Sequence, residues 1–306
     1  MAERTIRADV KGLADGEIRL ASDGDDKVVL LRHGGELRAF SATCPHYGAP
    51  LEKGLVCGGR LVCPWHKASF DAADGSLVEP PALEGLARYP IRLDGDSAIV
   101  TLAPMPAKDS GWDGEADEDE GTFGIVGTGA AGLAAARALR EFGFAGRIVM
   151  LGQEEGTPYD RPALSKEVPA GKLEPEEASL KSSFYQDNAI DFRRMEVEII
   201  DVANRRIAFH NGAGLNCDAL LIASGSQPKK PDLPGTHLGN VLVLRSQEDA
   251  RHLADAAKEG HKVVIMGSSF IGLEVATGLA KRGLKVDVVS SDTVPLARPF
   301  GPEIGA

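Results

Sequence analysis

Between Lys27 and Leu102 the apolar positions come in short runs cut by turn residues: KVVLLRH, Gly34-Gly35, ELRAFSATC; then GLVC, Gly58-Gly59, RLVC; then RYPIRL, Asp94-Gly95-Asp96, SAIVTL. Runs of this length between glycine pairs or Asp-Gly predict strands joined by two-residue hairpins. Residues 1–105 therefore predict a small all-β domain. From residue 122 the period lengthens to strand TFGIVG, alanine-rich helix AAGLAAARALREFGF and strand RIVMLG. A second unit repeats the order with KVVIMG, LEVATGLAKRG and KVDVVS. Strand, helix, strand at this spacing predicts a parallel sheet covered by helices. Three strand-like segments lie between the two units, MEVEIIDV, RRIAFHN and DALLIASG. They predict a small antiparallel addition before the chain returns to the first sheet. The expected limits are 122–235 for the first α/β domain and 236–306 for the second.

Composition adds limits. The chain has 306 residues, 43% hydrophobic and 26% charged, which suits two or three folded domains and excludes collagen-like and wholly disordered readings. A net charge of -11 repels polyanions, so nucleic acid is not an expected partner. Asp113, Glu115, Asp117, Glu118, Asp119 and Glu120 supply more than half of that charge. Such a block stays extended by self-repulsion, so 106–121 is expected to be an acidic linker. Four cysteines are too few for a disulfide framework, and MAERTIRADV has no apolar core of a signal peptide. No stretch is long and apolar enough to insert in a membrane, and the expected location is cytoplasmic.

Cys44-Pro45-His46 and Cys63-Pro64-Trp65-His66 each offer a thiolate and an imidazole, sixteen residues apart. Structural zinc sites also take two Cys and two His, but usually with the cysteines in one pair and the histidines in another. Here they interleave, which suits two unlike irons, one held by both thiolates and the other by both imidazoles. CPHYGAPLEKG followed by CPWHKASFDAADG resembles a Rieske ferredoxin domain. The resemblance implies a [2Fe-2S] cluster with Cys44, His46, Cys63 and His66 as metal ligands. Ala49 and Trp65 stand where respiratory Rieske proteins have a disulfide, and Ala68 and Phe70 replace a serine and a tyrosine that bond to sulfur. Fewer donors imply a potential near the low end of the Rieske range. Cys57 reads as a small buried strand residue rather than a ligand. Lys67, in a slot that is often Gly, is expected to be solvated beside the cluster.

Gly127-Thr-Gly129-Ala-Ala-Gly132 ends a strand and opens a helix, the context of a dinucleotide fingerprint. An acid is expected after the next strand to take ribose hydroxyls, and Glu154, twenty-two residues past Gly132, fits, with Gln153 the competing position. TPYDRPALSKEV, DALLIASGSQPKKPDLPG, LRSQEDA and VVIMGSSFIGLEVATGLAKRGLKVDVV follow in that order. Together these resemble the FAD-dependent ferredoxin reductases and the apoptosis-inducing-factor group. With the Rieske-like part, the chain resembles the Rieske-containing, apoptosis-inducing-factor-like oxidoreductases. The resemblance implies a multi-domain fold: a small all-β Rieske [2Fe-2S] domain, then an α/β Rossmann-like FAD/NAD(P) fold of the pyridine nucleotide-disulfide oxidoreductase type.

Carried over by position, it puts Arg161 and Lys166 at the flavin, with Lys166 near the isoalloxazine and paired to Glu274 as the catalytic pair. Val197, Ala223, Ser224, Gly225 and Arg245 fall at further FAD positions. The second loop, Gly267-Ser268-Ser269-Phe270-Ile271-Gly272, is where NAD(H) or NADP(H) is expected, with Ser269 crowding the pyrophosphate. Ser290 and Ser291 stand where NAD-preferring relatives carry an acid, so NAD versus NADP stays open and Arg298 is a candidate for a 2'-phosphate. DRPALSK carries no redox cysteine pair and Cys217 sits alone, so thiol chemistry is not expected. The chain stops at RPFGPEIGA, before segments that such relatives have, and reads as part of a longer protein.

The expected function is electron transfer from NAD(P)H through FAD to the fused cluster and on to an unknown acceptor, an oxygenase or another redox protein. The alternative is a redox-sensing or scaffold flavoprotein with incidental turnover.

Overall fold

The structure, a computed structural model, describes residues 4–82, 84–105, 116–155, 158–179 and 183–306. It falls into two compact units, Met1–Ser110 and Gly111–Ala306.

In the first unit the strands all pair antiparallel among the described residues. Its strands are β1 (Thr5–Asp9), β2 (Ile18–Asp23), β3 (Asp26–His33), β4 (Glu36–Ser41), β5 (Leu55–Cys57), β6 (Arg60–Val62), β7 (Ser69–Asp71), β8 (Leu77–Glu79), β9 (Ile91–Asp94) and β10 (Ser97–Thr101). They form sheets in the orders β1-β10-β9, β2-β3-β4 and β5-β6-β7-β8. Strand β3 is buried on both faces, which is why KVVLLRH is a continuous apolar run rather than an alternating one. Val28 and Leu30 join one core with Ile6, Ala39 and Val100. Val29 and Leu31 join another with Phe40, Leu61, Phe70, Cys44 and Cys63. At the end of β3, Gly34 and Gly35 take φ of 59° and 80° between paired His33 and Glu36, the left-handed pair that a two-residue hairpin requires. Cys57 corrects an expectation: it is exposed, not buried. It shares the outward face of β5 with Leu55, while Val56 turns inward, and Gly58-Gly59 follow at once.

In the second unit β11 (Thr122–Val126), α1 (Ala130–Glu141) and β12 (Arg147–Gly152) make the expected crossover. Strands β13 (Ile190–Arg194) and β17 (Ala219–Ile222) complete a parallel sheet of order β13-β12-β11-β17. The antiparallel addition is β14 (Val197–Asp201), β15 (Arg206–Phe209) and β16 (Gly214–Asn216). DALLIASG is not part of it; that segment is β17, the return to the first sheet. Short helices α2 (Ala163–Lys166) and α3 (Ser183–Asp187) and the longer α4 (Gln247–Ala256) precede the second repeat. That repeat is β18 (Lys262–Met266), α5 (Phe270–Lys281) and β19 (Lys285–Val289), with β18 and β19 parallel.

Arg140 of α1 is 2% exposed and donates to the carbonyls of Phe144, Gly146, Asn188 and Ala189. It thereby ties the end of α1 to the entries of β12 and β13. Of the expected acidic linker, residues 106–115 lie outside the described residues. Its last part is a single 3-10 turn, Glu118–Glu120, rather than extended chain. Asp117 starts that turn: its amide donates to Ala145 O at 2.8 Å and its carboxylate accepts from the Asp119 amide at 2.9 Å.

Candidate functional sites

The two Cys-His loops share one construction. Cys44 N–H donates to Ala49 O at 2.9 Å, and Cys63 N–H donates to Ala68 O at 2.8 Å, so each loop is closed at its base by the same five-residue step. Cys44 and Cys63 are each 1% exposed. Burial, with the Cys63 thiol beside it, pushes the Cys44 thiol up to about 11, although the amides of His46 and Tyr47 donate to its sulfur. At the loop tips the rings of His46 and His66 meet edge to face, 4.8 Å apart. Tyr47 packs 4.4 Å from His46, and Trp65, 54% exposed, lies 6.3 Å from His66. Among the described residues no three His, Cys, Asp or Glu side chains surround one point. The four side chains come instead as a buried thiol pair and an imidazole pair at the loop tips, His66 exposed and His46 half-buried, a division that suits the two unlike irons of a Rieske [2Fe-2S] cluster. This donor set fits the group.

Ala68 and Phe70 are fully buried in the same core, so neither position offers a hydroxyl. All four cysteines are free thiols. Lys67 holds a left-handed φ of 66°, and its ammonium turns back to Pro64 O at 3.4 Å.

The first glycine loop is shaped by close approach. A Cβ on Gly127, whose φ is 120°, would stand 2.1 Å from Ala223 O, and one on Gly132 would stand 2.0 Å from Gly127 O. Helix and strand ends therefore meet through these glycines. A Cβ on Gly129 meets nothing within 4 Å, and Gly129 caps α1 without a side-chain bond, which leaves the amides of the first turn open to an anion. This cradle fits a dinucleotide pyrophosphate.

Around its mouth the fold gathers most of the expected residues. Glu154, past the end of β12, accepts from Arg161 at 2.8 Å and from the Tyr159 hydroxyl. Arg161 also donates to Arg245 O. The Arg245 guanidinium lies against Gly225, whose φ of 72° precedes the long loop after β17. Ala223 N–H donates to Val126 O, which sets Ala223 and Ser224 beside Gly127. Val197 stands apart from this group, since its side chain packs on the core of Val149, Leu151 and Phe209. The carbonyl of Gln153 accepts from Arg194 at 3.4 Å.

The second loop repeats the approach, with a Cβ on Gly272 placed 2.2 Å from Gly267 O. Ser269 caps α5 in extended conformation with no side-chain bond, and Phe270 and Ile271 are half exposed on the first turn. The Ser290 hydroxyl is taken by Ser268 at 2.8 Å and by the Asp292 amide at 3.1 Å. Arg298 donates to Asp292 at 3.0 Å and to Ser291 at 3.4 Å. Asp292 is thus an acid near the expected ribose position that the run of serines concealed.

Lys166 and Glu274 line one cavity of about 450 Å³ together with Glu167, Lys172, Phe270 and Lys281. Glu274 accepts a hydrogen bond from Ser165, the neighbour of Lys166, at 2.6 Å. Sequence reasoning missed Ser165 and Tyr159 because their partners lie on distant segments.

Comparisons with known proteins agree with this construction. Residues 5–90 match the Rieske [2Fe-2S] domain, and residues 123–306 match the pyridine nucleotide-disulphide oxidoreductase family. Apoptosis-inducing factor 3 of Homo sapiens is 34% identical over 97% of this chain and 50% of that protein. The ferredoxin–NAD(+) reductase subunit of the benzene 1,2-dioxygenase system of Pseudomonas putida is 37% identical over 60% of this chain and 45% of its own length. The crystal structure of a ferredoxin reductase of the CYP199A2 system from Rhodopseudomonas palustris superimposes with a TM-score of 0.57 at 34% identity, covering 60% of this chain and 46% of that one. The chain spans about half the length of the curated relatives it matches over nearly all its residues. Well over half of it lies within one matched family, so the chain belongs to the pyridine nucleotide-disulphide oxidoreductases, and it carries a Rieske domain ahead of that part.

Proposed function

We propose that the protein is an NAD(P)H-dependent oxidoreductase in which electrons pass from NAD(P)H through FAD to the fused Rieske cluster and on to a further acceptor. The observation that carries the reading is the paired burial of Cys44 and Cys63 beneath the His46–His66 contact, in the same chain as the Gly127–Gly132 cradle. Bound flavin supplies the conversion from two-electron hydride chemistry to the single electrons that a [2Fe-2S] cluster accepts.

The chain's own residues divide the remaining work. Cys44 and Cys63 would hold the inner iron and His46 and His66 the outer one. The open amides at the start of α1 would take the FAD pyrophosphate, and Glu154 its adenosine ribose. Gly267, Ser269 and Gly272, with Phe270 and Ile271, would form the matching face for NAD(P)H. Lys166 would keep a positive charge where negative charge gathers during hydride arrival, and Glu274 would hold that ammonium in place from the same cavity. Two relatives whose names include ferredoxin–NAD(+) reductase support NAD(H) as the donor.

The test uses the natural full-length protein loaded with flavin and cluster. NADH should reduce the flavin and then the cluster, followed by visible absorbance and by the paramagnetic signal of the reduced cluster. Lys166→Ala should slow flavin reduction roughly tenfold to a hundredfold at saturating NADH while changing FAD affinity less. A flavin that is reduced while the cluster stays oxidised would overturn the proposed route. Unchanged reduction with lost FAD affinity would make Lys166 only a binding residue.

A further inference from the structure

We propose that Tyr159 is the positioning residue that presents Glu154 to the adenosine ribose of FAD, an inference that rests on the reading of Glu154 as the ribose acceptor. A glutamate just past a strand end swings freely unless its carboxylate is held. Here both oxygens are held, Oε1 by Arg161 at 2.8 Å and Oε2 by the Tyr159 hydroxyl. A carboxylate has about four lone-pair sites, so one bond to each oxygen fixes the group and leaves one site on each for a vicinal pair of hydroxyls.

The phenol is itself fixed from outside the loop. Its oxygen accepts from the Gln247 amide at 3.2 Å, at the first residue of α4, and Tyr159 bridges to Ser179 through the backbone. The Arg161 guanidinium lies over the ring, 4.9 Å from its centre, and reaches Arg245 O. Tyr159 thus connects the end of β12, the RPALSK segment and the start of α4. Burial raises the phenol well above its ordinary range, and the Glu154 carboxylate adds to this, so the hydroxyl stays a donor. None of this is legible in TPYDRPALSK, because the partners of Tyr159 lie 5 and 88 residues away.

Phenylalanine at this place keeps the ring under Arg161 and removes both bonds to the oxygen. The experiment measures binding of FAD, and of an FAD analogue lacking both hydroxyls of the adenosine ribose, to the deflavinated full-length protein. Wild type should prefer FAD. Tyr159→Phe should weaken FAD about tenfold, as expected for losing one hydrogen bond to a charged group, and leave the analogue unchanged. Equal weakening of both, loss of both, or no change in either would overturn the inference, since each means that the tyrosine does not act through the ribose. Glu154→Ala tests the underlying reading separately. If it leaves the preference for FAD intact, Glu154 is not the ribose acceptor; if it abolishes the preference while Tyr159→Phe does not, only the positioning role falls.

Discussion

Burial sorts the four cluster side chains by chemistry. Both thiols are pressed into a core of Val29, Leu31, Leu61 and Phe70, whereas the His46 and His66 rings meet at the loop tips, His46 half-buried and His66 exposed. His66→Ala or His46→Ala should therefore open one iron to water and lose the cluster, while exposed Cys57→Ala should keep two iron and two sulfide per chain. Iron and sulfide analysis of the purified variants decides it, and a cluster that survives both histidine variants would contradict the ligand assignment. The candidate ligands were legible because Cys-Pro-His and Cys-Pro-Trp-His each offer a thiol and an imidazole within a few residues. Tyr159 and Ser165 were not, because a hydroxyl acquires a role only through partners that the fold brings from far along the chain, and Asp292 was not because its bond to Arg298 depends on the turn between them.

Elements with sustained periodicity, such as α1 and α5, could be placed from sequence within a few residues. Helix α2 is a single turn between prolines and glycines, too short for a 3.6-residue pattern to register, and β13 reads as charged because its Asp191 bonds to Arg147 and Arg193. The loop before α1 offers a sharper test of its parts. Gly132→Ala places a methyl against Gly127 O and should cost stability, a drop of several degrees in Tm, as well as FAD. Gly129→Ala meets no protein atom within 4 Å, and its φ of -77° suits alanine, so it should leave Tm unchanged while weakening FAD, because the methyl stands where the pyrophosphate approaches. Thermal melts of the flavin-free variants beside flavin titrations separate the two; a destabilised Gly129→Ala would show that this glycine serves the fold.

On the scale of the whole molecule, the second unit leaves Ile222, Val264, Met266 and Val289 each more than half exposed, although all four lie on strands. Apolar strand residues left in water favour further cover. A form extended to the length of the curated relatives, which are about twice as long, should bind FAD more tightly than the 306 residues alone. Calorimetric titration of both forms measures the difference, and equal affinity would show that the cradle and Glu154 suffice. The first unit has a different economy, because β3 supplies Val28 and Leu30 to one core and Val29 and Leu31 to the other. Neither core can come apart while β3 stays native, so the unit should open as one cooperative block. In hydrogen exchange the amides of Val28, Val29, Leu30 and Leu31 should be among the slowest, sharing a single opening free energy with the β1-β10 pair and with the strands that carry the second Cys-His loop.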